Sequence, residues 1–279
     1  TLATSSAASD VYKRQLAQPS GFGFNWSSNY TVYLETLEQF DFTDGTSGML
    51  DRSIYDDATE IDPNWFFEMR DPRMKASIFY PGSSFKGGTV HFHRSMSGSL
   101  SGWPRTGPSK HIGSMATGLL IRKRTNPETP DATRSSTDYI IFRLGEIILN
   151  YVEAAFYLND PNGDMLANLN NLRDRAGMPS LSIGQVSQDK IRQERRCELA
   201  FEEHTFWDLR RWRIAVEELD NKQRHRLHYR YNANTKKYTI EMAPGDLGGV
   251  RLHPPRNYYY ALGLSRLADN PKLIENPGY

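Results

Sequence analysis

Residues 194–212 read ERRCELAFEEHTFWDLRRW. Glu194, Glu198, Glu202 and Glu203 share this stretch with Arg195, Arg196, Arg210 and Arg211, and Phe201, Phe206, Trp207 and Trp212 sit among them. On a helix Ile191, Arg195, Glu198 and Glu202 form one stripe, since each lies three or four places from the last. Glu194 and Glu202 are then like-charge neighbours of Glu198, repelling by roughly a few tenths of a kcal/mol unless cations stand between them. Arg195, Arg196, Arg210 and Arg211 are expected to supply those cations, joined by Arg173 and Arg175 from the preceding helix. Arginine suits the task because its planar fork bonds a carboxylate through two parallel hydrogen bonds. The rings are expected to exclude water, with Trp207 and Trp212 in the core. The rival is acid/base work on a glycoside by Glu194 with Glu198 or Asp208, which needs two carboxyls about 5–9 Å apart across an open cleft. Glutamates one turn apart among arginines are both held ionised, so neither can serve as the acid. The stretch therefore reads as an ion-pair lattice that locks helix to helix.

Helical spacing extends to either side. Residues 138–160 carry Ile140, Leu144, Ile147, Ile148, Tyr151, Ala155 and Leu158 every three or four places, which predicts a long amphipathic helix with Asp138 as its cap. Asp160, Pro161, Asn162 and Gly163 break it. Leu166, Leu169, Leu172 and Ala176 form the stripe of a second helix, ended by Gly177 and blocked by Pro179. The two make an antiparallel hairpin of the kind that stacks in tetratricopeptide-like arrays. A third helix is expected over 188–203 with Ser187 as cap, and a fourth over 205–219.

Other regions have different textures. Residues 16–137 are loop-rich, punctuated by glycine, serine and proline clusters, with a short helix expected within 30–40 and weak strands at 77–80 and 89–92. Residues 228–242 alternate loosely about a turn at 232–235, which predicts a hairpin. Residues 270–279 close the chain as a proline-bounded strap. Residues 1–15 have no apolar periodicity. They resemble translated sequencing-adaptor read-through and are set apart as a non-native leader. The fold class is thus mainly α: helical hairpins at 138–219, a loop-rich region at 16–137 with a few short strands, and a hairpin with strap at 220–279.

Composition narrows the function. The 279 residues carry a formal net charge of +1, which argues against a nucleic-acid partner. Cys197 is the single cysteine, so no internal disulfide can form. No apolar run reaches the length of a membrane span. His91 with His93, and His225 with His228, lack acidic or thiol partners at ligand spacing, so no metal site is expected. No cofactor loop or nucleophile motif occurs.

Several motifs together resemble the C-terminal half of the SusD/RagB family of glycan-binding outer-membrane lipoproteins. FRLGEIILNYVEAAF (142–156) is similar to a family helix, with Gly145 where alanine is usual. LNNLRDRAGMP (169–179) matches its Asn-x-x-Arg-x-Arg-Ala-Gly-hydrophobic-Pro turn. IRQERRCELAFEEHTFWDLRRW (191–212) is the most specific match, with Glu203, His204 and Thr205 where Gly-x-Arg is common. FDFTDGT (40–46), DPRMKASIFYPG (71–82) and NPKLIENPGY (270–279) follow the family pattern too, whereas ALGLS (261–265) departs from it. The resemblance implies oligosaccharide binding without catalysis and a SusC-like TonB-dependent transporter as partner. It also implies an N-terminal half, with its lipid anchor, outside this chain. The stripe of Ile140, Leu144 and Ile148 is then expected to lie uncovered. Two rival readings are an interaction scaffold of helical hairpins and a fragment of a secreted glycoside hydrolase.

Sugars present apolar ring faces edged with hydroxyls, so exposed loop aromatics beside polar groups are the binding candidates. These are Trp26 and Tyr30 with Asn25, then Trp65, then Trp103 with Arg105. The reading that each tryptophan merely pins its own loop stands beside this one.

Overall fold

In the second half of the chain, local sequence signals set the helices and distant partners set their ends. A computed structural model describes residues 31–91, 110–111, 117–123, 125–128, 140–160, 162–232, 234–245 and 249–279. Its helices are α1 (Leu34–Leu37), α2 (Pro72–Ser77), α3 (Leu144–Tyr157), α4 (Met165–Arg175), α5 (Gln188–Glu198), α6 (His204–Arg211), α7 (Ala215–Leu219) and α8 (Leu264–Asp269).

Helix α3 begins later than the periodicity suggests. Arg143 is its N-cap and offers no side-chain cap. Asp138 lies outside the described residues. The buried face is rotated in part from the expected stripe: Leu149 and Val152, outside it, face inward beside Ala155 of the stripe, Ile148 and Tyr151 are half-buried, and Leu144 and Ile147 face solvent. The packing explains this, because Leu149 meets Leu172 of α4 and Leu199, and Val152 meets Leu169 and Ile191. Gly177 ends α4 as expected, with φ +76°. The Met178 amide bonds the Arg173 carbonyl at 2.9 Å and the Gly177 amide bonds that of Asp174 at 2.9 Å, satisfying carbonyls that a helix end leaves open.

Ser187 caps α5, its hydroxyl accepting from the Lys190 amide at 3.1 Å. The helix stops at Glu198, short of the expected 203, and the chain turns through Phe201 (φ +60°) and Glu203 (φ +69°). The expected fourth helix is likewise split at Arg213 (φ +60°) into α6 and α7. Left-handed backbone at bulky residues is costly. At the turn after α5, bonds from Arg143 to the Glu198 carbonyl and the Glu202 carboxylate hold the chain in place.

The strands are short but connect distant segments. They are β1 (Asp56–Ile61), β2 (Ile78–Phe79), β3 (Ser84–Phe85), β4 (Gly88–His91), β5 (Lys110–His111), β6 (Leu120–Ile121), β7 (His225–Asn232) and β8 (Lys237–Pro244). The expected β7–β8 hairpin is antiparallel, with Tyr229 opposite Ile240 and Tyr231 opposite Tyr238. Strand β1 adds to the free edge of β8, pairing Glu60 with Thr239 and Ile61 with Tyr238. No sequence signal pointed to that third strand. Gly118 (φ +74°) lets the chain lie against this sheet, since a Cβ there would meet the Leu227 carbonyl oxygen at 2.1 Å.

The largest apolar cluster lies where the sequence read as loops. Leu34, Phe40, Phe66, Phe67, Phe79 and Leu119 pack there with Leu227, Tyr229 and Ile240 of the sheet. Burying one such side chain contributes about 1.5–3 kcal/mol, so the 31–91 region is a packed body carrying irregular connections.

Candidate functional site

Trp65 is positioned by a short turn between β1 and α2. The Asp62 carboxylate accepts from the Asn64 amide at 2.8 Å and starts a wide helical turn, Asn64–Glu68. Such π turns are frequent at functional sites. Phe66 and Phe67 enter the core from it, and Trp65 stays 41% exposed. The indole stacks on Phe42, with centroids 5.6 Å apart and planes 16° from parallel.

The neighbouring loop closes on itself around a buried arginine. The Thr43 amide bonds the Met69 carbonyl at 2.8 Å and the Asp71 amide bonds that of Asp41 at 2.7 Å. Arg70 lies fully buried between these two segments. Its Nε donates to the Phe66 carbonyl at 2.8 Å, and Nη1 donates to the carbonyls of Phe40 at 2.9 Å and Gly48 at 2.8 Å. Its guanidinium lies 4.6 Å from the Phe42 ring centroid. Burial pulls the guanidinium down to about 10, which leaves it charged at neutral pH. Gly48 has to be glycine, since a Cβ would meet the Phe40 carbonyl oxygen at 2.2 Å.

Phe42, Thr43, Asp44, Thr46, Ser47, Leu50, Trp65 and Met69 line a cleft of about 250 Å³. Its polar edge is pre-set. Asp44 Oδ1 accepts from the Thr46 amide at 2.8 Å and from Thr46 Oγ1 at 2.6 Å. The Thr46 hydroxyl and then the Thr46 amide hold the Asp44 carboxyl below its ordinary range. An aromatic face, an apolar floor and a rim of hydroxyls with one carboxylate can seat a sugar ring. Among the sequence candidates only Trp65 belongs to the described residues. Trp26, Tyr30, Asn25, Trp103 and Arg105 lie outside them.

The charged stretch occupies a different place. Glu194 accepts from Arg73 and from Arg173, each at 2.6 Å. Glu198 accepts from Arg143 at 2.5 Å, Arg175 at 2.7 Å and Arg73 at 3.2 Å. Glu202 pairs with Arg143 at 2.8 Å and Lys123 at 2.5 Å. The Glu194 and Glu198 side chains are 2% exposed, so this seam is nearly dry. Burial pushes the Glu198 and Glu202 carboxyls up, but the bonds from Arg143 and, for Glu202, from Lys123 more than offset it. Both stay below the ordinary carboxylate range.

The partners differ in part from those expected. Arg73, Arg143 and Lys123 were not foreseen, because they stand far away in sequence. Arg195 turns to Asp208 at 2.7 Å, and Arg211 to Glu153 at 2.5 Å and Asp208 at 3.0 Å. Arg210 joins no carboxylate among these pairs. It donates to the Tyr258 carbonyl, and its guanidinium lies 5.0 Å from the Phe206 ring and 4.9 Å from that of Tyr260. Trp207 is not in the core as expected but 58% exposed, and Phe206 is exposed beside it. Helix α6 turns Asp208 and Leu209 inward instead, so of its rings only Trp212, which follows it, shields the pairs. Among the described residues no cluster of His, Cys, Asp and Glu is arranged to hold a metal ion.

Comparison with known proteins places this geometry. A 93-residue stretch is 32% identical to the SusD-like protein P2 of Formosa agariphila, covering 30% of this chain and 18% of that protein. A SusD-like protein from Bacteroides fragilis superposes with a TM-score of 0.72 at 25% identity, over 97% of this chain and 52% of that one. A SusD-like carbohydrate binding protein from the same species matches with a TM-score of 0.60 at 24% identity, over 86% of this chain and 47% of that one. The chain therefore spans about half the length of these solved relatives. The model of the SusD family matches residues 5–279. With that match across nearly its whole length and the same fold in its relatives, this chain belongs to the SusD family.

Proposed function

We propose that this chain is part of a protein that captures oligosaccharide at the bacterial outer-membrane surface and passes it on unaltered. The observation that carries the reading is the exposed Trp65 ring, held face-on against Phe42 and edged by Thr43, Asp44, Thr46 and Ser47. Family membership and the carbohydrate-binding relative support it. The carboxylates of residues 194–202 support binding over hydrolysis. An acid catalyst has to hold a proton near neutral pH, and these groups are surrounded by arginine and lysine. The family resemblance adds a SusC-like TonB-dependent transporter as partner and attachment to the membrane through a lipid anchor. No helix among the described residues is long and apolar enough to cross a membrane.

Native affinity electrophoresis against a panel of polysaccharides tests the reading. Retardation by at least one glycan, abolished in Trp65→Ala, is expected. Release of reducing ends by the unmodified chain would instead favour the hydrolase. The scaffold reading draws on one observation: Ile140, Ile141, Phe142, Leu144 and Ile147 are all exposed, and large exposed apolar patches mark protein contacts.

A further inference from the structure

The hydrogen-bonding inventory of the Trp65 cleft is one-sided. Thr46 Oγ1 gives its proton to Asp44, and Thr43 Oγ1 gives its proton to the Met69 carbonyl at 3.1 Å. Each hydroxyl therefore turns only lone pairs to a ligand. Asp44 is exposed and its carboxyl is held ionised, so it can only accept. Ser47 Oγ accepts from the Met49 amide at 3.2 Å and, among the described lining residues, is the hydroxyl whose proton is not spent in these bonds. Among the described residues no lysine, arginine or histidine lines the cleft. Arg70 is fully buried beneath Phe42, with Nε and Nη1 on backbone carbonyls and Nη2 unpartnered but sealed from solvent, and Lys75 is paired with Glu68 at 3.1 Å. The indole face itself carries partial negative charge and attracts cations.

From this imbalance we infer that the cleft selects sugars that bring donors, neutral polyols and amino sugars, and rejects uronic and sulfated sugars at this position. A hydroxyl donates one hydrogen bond and an ammonium three, whereas a carboxylate or sulfate brings acceptors alone. Facing Asp44, such an anion leaves acceptor against acceptor and charge against like charge. The inference rests on the reading of Trp65 as a sugar platform and adds the chemical class of the sugar.

A printed array of neutral, amino, uronic-acid and sulfated glycans tests it, probed with the full chain and with Trp65→Ala, Trp65→Phe and Asp44→Asn. The expected result is Trp65-dependent signal on neutral or amino glycans. Asp44→Asn keeps the acceptor for Thr46 and removes the charge. It should lower the amino-to-neutral signal ratio about fourfold, as expected for opposite unit charges about 5 Å apart in water. Trp65→Phe keeps a ring in the core-facing stack and should retain part of the signal if the fold is intact. Trp65-dependent signal concentrated on uronic or sulfated glycans would overturn the selectivity and leave the platform standing. Absence of Trp65-dependent signal in every class would overturn both.

Discussion

Arg143 grips Glu202 through two parallel hydrogen bonds, Nε to Oε2 and Nη2 to Oε1, each 2.8 Å long. The same guanidinium reaches Glu198 Oε1 at 2.5 Å and donates to the Glu198 backbone carbonyl at 2.6 Å. One side chain at the mouth of α3 thus holds the end of α5 and the left-handed turn that follows it. The rest of the seam repeats this: an arginine from one segment neutralises glutamates on another.

Glu194→Gln should be strongly destabilising. Both Arg173 and Arg73 lose a carboxylate, and the Arg173 side chain is only 3% exposed. Removing one partner of a buried pair costs about 3–5 kcal/mol. Urea unfolding would show a lowered midpoint with little change in slope. A loss below about 1 kcal/mol, the range of surface pairs, would mean the seam is wet.

Acid should weaken the fold through the same groups. The folded-state values of Glu198, Glu202 and Glu153 lie below 4.5. Their contribution is full above about pH 4.5 and is lost as pH falls through the lower folded values. Glu38 acts with the opposite sign, since burial raises its carboxyl despite the bond from Arg52, so acid relieves a cost there. The urea midpoint should drop below about pH 4.5, and Glu202→Gln should flatten that drop. Parallel curves for parent and variant would contradict the depressed Glu202.

Arg70→Met should dismantle the floor of the cleft. Three carbonyls, those of Phe40, Gly48 and Phe66, lose their donor, and each buried unsatisfied group costs about 1–3 kcal/mol. Destabilisation above about 3 kcal/mol is expected, together with loss of Trp65-dependent glycan retardation. Full retention of both would show that Phe42 and Trp65 hold themselves in place.

Gly145→Ala probes the departure from the family's usual alanine. Alanine favours a helix by about 1 kcal/mol over glycine. Here the added Cβ would meet Arg143 Nη1 at 2.5 Å and Glu198 Oε1 at 2.8 Å. Displacing that pair should outweigh the propensity gain, giving a lower melting temperature. A raised one would show that the Arg143 side chain moves aside without loss.

Much of the helical half is legible locally. Gly177 and Pro179 announce the end of α4, Ser187 announces α5, and the 232–235 turn announces the β7–β8 hairpin, because caps and turns act over a few residues. The inward face of α3 is not legible in the same way. Leu144 and Leu149 are equally apolar, and only the positions of Leu172 and Leu199 decide which is covered. In the candidate site, Trp65 was legible as an aromatic in a loop. Its partner Phe42 and the anchor Arg70 were not: Phe42 lies 23 positions away in FDFTDGT, whose pattern marks the family and not a contact with Trp65, and nothing in the sequence marks Arg70 for burial.

Residue order alone determined the family, the helix starts at Ser187 and stops at Gly177, and the need for cations around Glu194, Glu198 and Glu202, because these follow from short-range geometry and from charge count. Tertiary structure alone decided which cations answer. Arg73, Lys123 and Arg143 are brought in from three separate segments, and Arg210 is left to stack on rings. It also decided that Trp65 faces a cleft and that Trp207, expected in the core beside Trp212, faces solvent. Burial depends on what the rest of the chain places alongside a ring, and no window of neighbouring residues contains that information.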